Sequence, residues 1–244
     1  MERCVGMVEN NGFSINYEFI VIALGNKPEE NFRKVAEKGI RAYIVEYADE
    51  KNAGFCMSES SSNKPYMDDI KDKVREALGI ENFYFDVIGV KSIHKDNTQT
   101  GITMQVMVII RQNETNLVNK DQRYKGNWVW VTVERDMELV PKSIKLVDNP
   151  DKPKVYIDSL FEDQIKDLLK AVEHVRYALE FTNIAFEFMP KLFTLKEFEE
   201  VYNALNAREV TNMKKKWAYK FEDSGRMSNG LAHRPAKLYT LKEA

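Results

Sequence analysis

The chain has 244 residues, of which 43% are hydrophobic and 30% charged, and its formal net charge is −2. This length and balance are typical of a globular protein with one sizeable core and a second small unit, and they exclude a disordered or fibrous chain. Apolar runs such as Phe19 to Leu24 are far shorter than the ~20 residues that span a bilayer, so we expect no membrane partner. With no secretory signal and only Cys4 and Cys56, we expect a cytoplasmic protein.

Two segments near the N-terminus predict strands. Ser14 to Leu24 and Arg41 to Tyr47 are both rich in β-branched and aromatic side chains. Between them, the charged stretch from Lys27 to Lys38 is compatible with a short helix. The segment from Ser58 to Lys64 has no core-forming residue and predicts a polar loop.

The middle of the chain predicts helices that alternate with strands. Apolar residues between Met67 and Leu78 fall on one helical face, and Gly79 is a natural helix stop. A long amphipathic helix is predicted from Ser159 to Phe181. Further strands are predicted at Phe83 to Val90, Thr103 to Ile110 and Trp128 to Glu134. This mixed order excludes a helical bundle.

Two helices are predicted near the C-terminus. Thr194 followed three residues later by Glu197 fits a capping box, which predicts a helix from Thr194 to about Asn206. We expect Thr211 to cap a second helix, which reads NMKKKWAYKF. Its apolar residues recur at four-residue steps and should face inward: Met213, Trp217 and Phe221.

That inward stripe places lysines on the solvent faces of the second helix, as in a recognition helix. Eleven basic and seven acidic residues follow Pro190, so this end carries +4 and the rest of the chain carries −6. A basic module on an acidic body indicates contact with double-stranded DNA, although a merely solvated helix face is the ordinary alternative.

A glycine-containing wing and a terminal strand follow the second helix. The candidate DNA-binding residues are Thr211, Asn212, Lys214, Lys215, Lys216, Lys220, Arg226, Arg234 and Lys237; for Arg234 a structural salt bridge is the alternative.

The stretch from Leu160 to Leu241 resembles the Nudix-related transcriptional regulators. The resemblance rests on LFEDQI (Leu160 to Ile165), VRYALEFTNIAFEFMP (Val175 to Pro190), FTLKEFEEVYNAL (Phe193 to Leu205) and HRPAKLY (His233 to Tyr239). It implies an α+β chain, with a Nudix-like mixed α/β/α sandwich over 1–188 and a winged helix-turn-helix domain over 189–244. It also implies a homodimer that binds operator DNA and senses a small effector, of which ADP-ribose or a related nucleotide- or sugar-phosphate metabolite is typical.

The Nudix hydrolase motif is degenerate in this sequence. Its consensus has G, five residues, E, seven residues and then REUxEExGU, in which the glutamates bind Mg²⁺. With the closing pair on Gly79 and Ile80, Lys64 replaces the first glutamate and only Glu76 is retained. We therefore expect no hydrolysis, no catalytic residue and no cofactor. Asp69, Asp72 and Glu76 share a predicted helical face and are candidates for an unusual metal site, although a solvated acidic face is the ordinary interpretation.

Three functions remain open at this level. The first is a transcriptional regulator whose silent Nudix-like body senses a ligand. The second is a Mg²⁺-dependent pyrophosphohydrolase acting on ADP-ribose or a related nucleoside diphosphate derivative. The third is a winged helix that binds protein and not nucleic acid. The three histidines show no ligand spacing, so no zinc site is predicted.

Overall fold

The computed structural model describes residues 13–26, 38–47, 53–61, 64–95, 98–111, 117, 124–135, 141–147, 162–206, 212–228 and 235–242. The elements follow the chain as β1 (Ser14–Asn26), β2 (Lys38–Tyr47), β3 (Ala53–Gly54), β4 (Cys56–Glu59), α1 (Tyr66–Leu78), β5 (Tyr84–Lys95), β6 (Thr98–Ile110), β7 (Tyr124–Arg135), β8 (Pro141–Val147), α2 (Glu162–Phe181), α3 (Ile184–Glu187), α4 (Leu195–Asn206), α5 (Met213–Trp217), β9 (Phe221–Met227) and β10 (Lys237–Leu241).

A mixed sheet forms the N-terminal part of the described structure. Its main path runs β5-β6-β1-β2-β7-β8, while β3 pairs with β2 and β4 pairs with β1. The β1–β6 pair is parallel, and the other pairs are antiparallel. The central strand β1 is buried over most of its length, which explains why its sequence is a continuous apolar run and not an alternating one.

Helices cover both faces of this sheet. Ile70, Val74 and Leu78 of α1 pack with one face, and Leu168, Val172 and other residues of α2 pack with the opposite face. The apolar cluster on the α2 face of the sheet continues without a break into α3, α4 and α5. The resulting α/β/α sandwich therefore carries the C-terminal module on its α2 side. None of the helices that the structure describes combines the length and apolar character needed to cross a membrane.

Most predicted elements are confirmed with shifted ends. The helix predicted at Met67 to Leu78 is α1, and it ends at Gly79, whose left-handed backbone (φ 67°) allows its N–H to donate to the Arg75 carbonyl. The long helix is α2, described from Glu162. The helix considered between Lys27 and Lys38 falls on residues outside the described ranges, apart from Lys38, which begins β2.

The predicted polar loop was wrong in part, and several elements were missed. Part of the stretch predicted as a polar loop, Ser58 to Lys64, lies in β4, because the backbone of Ser58 and Glu59 pairs with β1. Strand pairing satisfies the backbone whatever the side chains are, so composition alone misses it. The elements that sequence reasoning did not predict are β3, β4, β8, α3 and β9.

Candidate nucleic-acid interface

The C-terminal module has the order of a winged helix. After α3, residue Phe193 forms a single antiparallel bridge with Tyr239, which ties the segment before α4 to the β9–β10 pair. Helices α4 and α5 lie between that bridge and the hairpin in the sequence. This is the predicted order of helix, helix and wing. Within the wing, Asp223 to Met227 lie in strand β9, which the sequence did not predict as a strand.

The predicted capping box begins α4. The Thr194 backbone N–H donates to a Glu197 carboxylate oxygen at 2.7 Å, and the Glu197 N–H donates to Thr194 Oγ1 at 3.1 Å. Two backbone donors that the helix leaves unpaired are satisfied in this way. The helix therefore starts at a residue fixed by local sequence, which sets the phase of its apolar face.

An aromatic cluster holds the second helix of the module against the first. The Trp217 ring of α5 lies 5.8 Å from Phe198 and 5.4 Å from Tyr202 of α4, both in edge-on geometry. Phe221 contacts Phe198 at 4.9 Å, also edge-on. Met213, Trp217 and Phe221 are all buried, which confirms the predicted inward stripe. Edge-on pairs at these separations favour one relative orientation of the two helices.

The second helix is shorter than predicted and begins one residue later. Regular α-helix covers only Met213–Trp217, and a 3₁₀ turn follows over Ala218–Lys220. Its N-cap is Asn212, not Thr211, and Asn212 adopts the left-handed conformation (φ 61°) with no side-chain capping bond. Asparagine tolerates this conformation better than threonine, whose side chain is branched at Cβ. Thr211 itself lies outside the described residues.

Lys215 and Lys216 form the unpaired cationic part of this helix. Both side chains are exposed, and neither has a carboxylate partner among the residues that the structure describes. Lys216 Nζ lies 5.9 Å from the Tyr202 ring centroid, so aromatic contact orients it without neutralising it. Asn212 is also exposed. Lys214 is on the same helix, but its side chain is outside what the structure describes, as is all of Arg234.

Lys220 is held within the module, in contrast to the other two lysines. Its Nζ lies 4.5 Å from the Trp217 ring centroid and donates to the Thr182 carbonyl at 3.1 Å. Partial burial lowers the pKa of this ammonium group. Lys220 therefore joins the 3₁₀ turn after α5 to the residue that follows α2, and only part of its donor capacity is left for an outside anion.

The wing presents one free and one paired cation. Arg226 of β9 is exposed and has no carboxylate partner in the described part of the chain. Lys237 of β10 pairs with Asp223 at 2.7 Å, and the hydrogen bond to Asp223 raises the pKa of Lys237. Gly225 has φ 70°, and its N–H donates to Asp223 Oδ1. In the described part of the wing, Arg226 therefore lies in solvent, whereas the charge of Lys237 is neutralised by Asp223.

Sequence reasoning did not identify an exposed aromatic residue in the 3₁₀ turn that follows α5. Tyr219 has 66% of its surface exposed and lies 5.9 Å from Lys220 Nζ, measured to the ring centroid. An aromatic side chain among lysines on an exposed turn is a signal that could have identified it. Its ring and hydroxyl are suited to contact with a sugar-phosphate backbone.

The shared acidic face predicted on α1 is wrong, because Asp69 points inward. Its side chain is only 1% exposed, whereas Asp72 and Glu76 lie at the surface. Asp69 Oδ2 accepts hydrogen bonds from Tyr17 (2.8 Å), Ser60 (2.7 Å) and the Ser61 N–H (2.9 Å). Burial raises the pKa of Asp69, but the three hydrogen bonds lower it more, so the net pKa lies below the usual value. Asp69 therefore joins α1 to the two serines that follow β4.

The other two metal candidates are paired with basic side chains. Asp72 contacts both Lys64 and Arg75, and Glu76 contacts Lys73 at 3.2 Å. Lys64, at the position of the first consensus glutamate, thus supplies a cation where the hydrolase motif needs a carboxylate. In the described ranges, no group of three or more His, Cys, Asp and Glu side chains is arranged to hold a metal ion.

Comparisons with known proteins agree with this architecture. Residues 185–241 match the NrtR DNA-binding winged helix domain. The structure of Shewanella oneidensis NrtR complexed with a 27mer DNA has a TM-score of 0.62 at 12% identity, covering 93% of each chain. A MutT/nudix family protein from Enterococcus faecalis has a TM-score of 0.64 at 17% identity, covering 97% of this chain and 89% of that one. None of the curated proteins matches the sequence.

The matched range begins at α3 and ends at β10, so it contains the capping box, the aromatic cluster and the wing. A second structure of Shewanella oneidensis NrtR has a TM-score of 0.59 at 14% identity, covering 93% of this chain and 94% of that one. The chain thus joins a Nudix-like sheet domain to a C-terminal winged helix domain of the NrtR type.

Proposed function

We propose that this protein is a cytoplasmic, DNA-binding transcriptional regulator whose Nudix-like domain senses a small phosphorylated metabolite. The winged helix supplies the contact with DNA, and the sandwich supplies the ligand site. Because the two parts share one apolar cluster through α2, α3 and α4, a change at the sheet can be transmitted through packed side chains.

The observation that carries this proposal is a set of unpaired cations on a DNA-binding fold. Lys215 and Lys216 project from α5 and Arg226 projects from the wing, all three in solvent. Each lysine or arginine that meets a phosphate releases condensed counterions, so such a surface gives salt-dependent affinity for duplex DNA. The Shewanella oneidensis relative with the same architecture has been seen complexed with a 27mer DNA.

The test is fluorescence anisotropy with labelled duplexes from the upstream region of the protein's own gene, over a series of salt concentrations. Replacing Lys215 and Lys216 together with alanine should reduce the slope of log affinity against log salt by about 1.8, at about 0.9 per lost phosphate contact. Adding Lys214→Ala should bring the reduction to about 2.7 if all three lysines bind phosphate.

Lys166→Ala is the matched control for these variants. It removes one exposed lysine from α2, which lies outside the winged helix, and there the lysine pairs with Glu162. We expect an unchanged salt slope. Wild-type binding that does not respond to salt would contradict the proposal and favour a protein-binding winged helix. A slope that is the same in the Lys215 and Lys216 double variant would remove α5 from the interface.

We further propose that the regulator binds DNA as a homodimer. Winged helix dimers read two half-sites related by twofold symmetry, about one helical turn of DNA apart. Light scattering after size exclusion should give twice the chain mass, and a duplex with one half-site should bind more weakly than one with both. A monomer at micromolar concentration that binds both duplexes equally would contradict the dimer.

Hydrolysis is not part of the proposed function. Mg²⁺ binding at the degenerate motif is disfavoured because Lys64 pairs with Asp72 and Lys73 pairs with Glu76. Lys64 also occupies the position at which the motif requires a glutamate. The check is Mg²⁺-dependent turnover of ADP-ribose and other nucleoside diphosphate derivatives. Turnover that Glu76→Gln abolishes would overturn this part of the proposal, and Mg²⁺ would then be a cofactor.

A further inference from the structure

A guanidinium group on the α1 side of the sheet has no counter-ion among the residues that the structure describes. Arg41, in β2, occupies a strand whose neighbours Ile40 and Ala42 are buried apolar residues. Its Nη2 donates to the Leu24 carbonyl at 3.1 Å, while its Nε is buried and has no hydrogen-bond partner. No carboxylate lies within ion-pair distance of Arg41 in the described residues, and burial alone lowers its pKa.

Two indole rings hold that guanidinium in place. Strand register sets Trp130 of β7 directly opposite Arg41, and Trp128 lies two residues earlier on the same face. The guanidinium carbon is 5.2 Å from the Trp128 ring centroid and 5.7 Å from that of Trp130. On the other side, Gly25 provides the space: a Cβ there would lie 2.5 Å from Arg41 Nε. The group is therefore fixed by its surroundings before any ligand arrives.

A second donor on this face is also unsatisfied. Trp130 is 9% exposed, and its Nε1–H is buried without a hydrogen-bond partner. Buried donors without partners are rare, and a partly buried cation without a counter-ion is unfavourable. Both penalties disappear if one anion with several acceptor oxygens occupies the site. A phosphate group has this property, and arginine binds it through two parallel N–H donors.

We propose that Arg41 and the indole N–H of Trp130 bind the phosphate of the metabolite that this protein senses. The inference rests on the proposed function and adds to it the location of the effector site and the chemistry that the ligand must carry. The site uses the sheet face next to α1 and requires no metal ion. It also assigns a role to a charged residue that lies between two buried apolar residues of β2.

Isothermal titration calorimetry on the full chain tests this site with three probes: inorganic pyrophosphate, ADP and adenosine. We expect pyrophosphate and ADP to bind the wild type, and adenosine at equal concentration to give no heat. Arg41→Gln should weaken ADP binding by at least about tenfold, which is the lower end for a hydrogen bond to a charged group. Trp130→Phe removes only the N–H donor and should weaken ADP binding by about three- to tenfold.

Lys166→Gln is the control for loss of one exposed positive charge, and it should leave ADP affinity unchanged. Arg41→Lys retains the positive charge but not the planar pair of N–H donors, so it should also weaken ADP binding. This variant replaces Arg41→Gln in the test if Arg41→Gln fails to fold. Equal ADP affinity in the wild type and in whichever arginine variant folds would overturn the site. If neither pyrophosphate nor ADP binds the wild type while salt-dependent DNA binding persists, this inference fails and the regulator proposal stands.

Discussion

Lys91 of strand β5 forms an ion pair with Asp167 of helix α2, and the same ammonium group lies 3.3 Å from Glu18 of the central strand. The two carboxylates are 9% and 8% exposed, whereas the lysine is 40% exposed. Burial lowers the pKa of Lys91, but its bonds to the two acids raise it more. One partly exposed cation thus neutralises two buried anions where the helix leading to the winged helix meets the sheet.

We expect Lys91→Met to destabilise the protein because it leaves both carboxylates buried and unpaired. Loss of one partner of a fully buried pair costs about 3 to 5 kcal/mol, and the exposure of Lys91 reduces the expected value to about 1 to 3 kcal/mol. Urea unfolding at neutral pH measures the change. The control, Lys166→Met, breaks an exposed pair and should leave the midpoint nearly unchanged. Equal midpoints for the two variants would show that Lys91 has no structural role.

The capping box at Thr194 gives a second stability prediction. Thr194→Ala removes the acceptor for the Glu197 N–H and should cost about 1 kcal/mol of unfolding free energy. Thr194→Ser keeps that acceptor and should behave like the wild type. Thermal unfolding followed by circular dichroism distinguishes them. If the serine variant is destabilised as much as the alanine variant, packing of the threonine methyl group and not capping is responsible.

Lys220 and Lys215 should respond differently to the same substitution. Lys220→Ala removes contacts with Trp217 and Thr182, so we expect a lower melting temperature and a change in salt slope smaller than one phosphate contact. Lys215→Ala should reduce the slope by about 0.9 and leave the melting temperature unchanged. Anisotropy and thermal unfolding on both variants provide the comparison. A full slope reduction in the Lys220 variant would place that residue in the interface.

Local sequence predicted the C-terminal module well because its signals are local. The capping box of Thr194 and Glu197 and the four-residue steps of Met213, Trp217 and Phe221 each involve neighbours along one helix. Partners distant in the sequence were not predictable in the same way. Asp69 has the spacing of a surface acid, but Tyr17 of β1 and Ser60, which follows β4, approach it and make it a buried acceptor.

The same limit explains why the Arg41 site was missed. An arginine at the start of RAYIVEY is visible in the sequence as a charge in an apolar strand. Its lack of a counter-ion depends on what surrounds it after β2 and β7 pair, 89 positions apart for the Arg41 and Trp130 partners. Pairing register is a long-range property that periodicity does not report.

Asp69 should make stability depend on pH in the acid range. Its folded-state pKa is depressed, so its contribution is present above the unfolded pKa of about 3.9 and is lost as pH falls through the folded value. Asp69→Asn should lower the unfolding free energy at pH 7 by about 1 to 3 kcal/mol and flatten its decline below about pH 4. Urea titrations between pH 3 and about pH 7 measure both changes. Parallel pH curves for the two proteins would contradict the assignment.

Gly25→Ala tests how Arg41 is positioned, without altering its charge. The new Cβ would lie 2.5 Å from Arg41 Nε and 2.7 Å from Cζ, so the guanidinium must leave its place between Gly25 and the indoles. Because only the end of a flexible side chain has to move, we expect the unfolding free energy to change by less than about 1 kcal/mol. ADP affinity should fall by about tenfold, since the guanidinium no longer lies over the Trp128 and Trp130 rings, where the proposed site places it. Calorimetry on Gly25→Ala, Arg41→Ala and the double variant completes the cycle: alanine at position 25 should have no further effect once Arg41 is absent, and additive losses would mean that Gly25 acts through another contact.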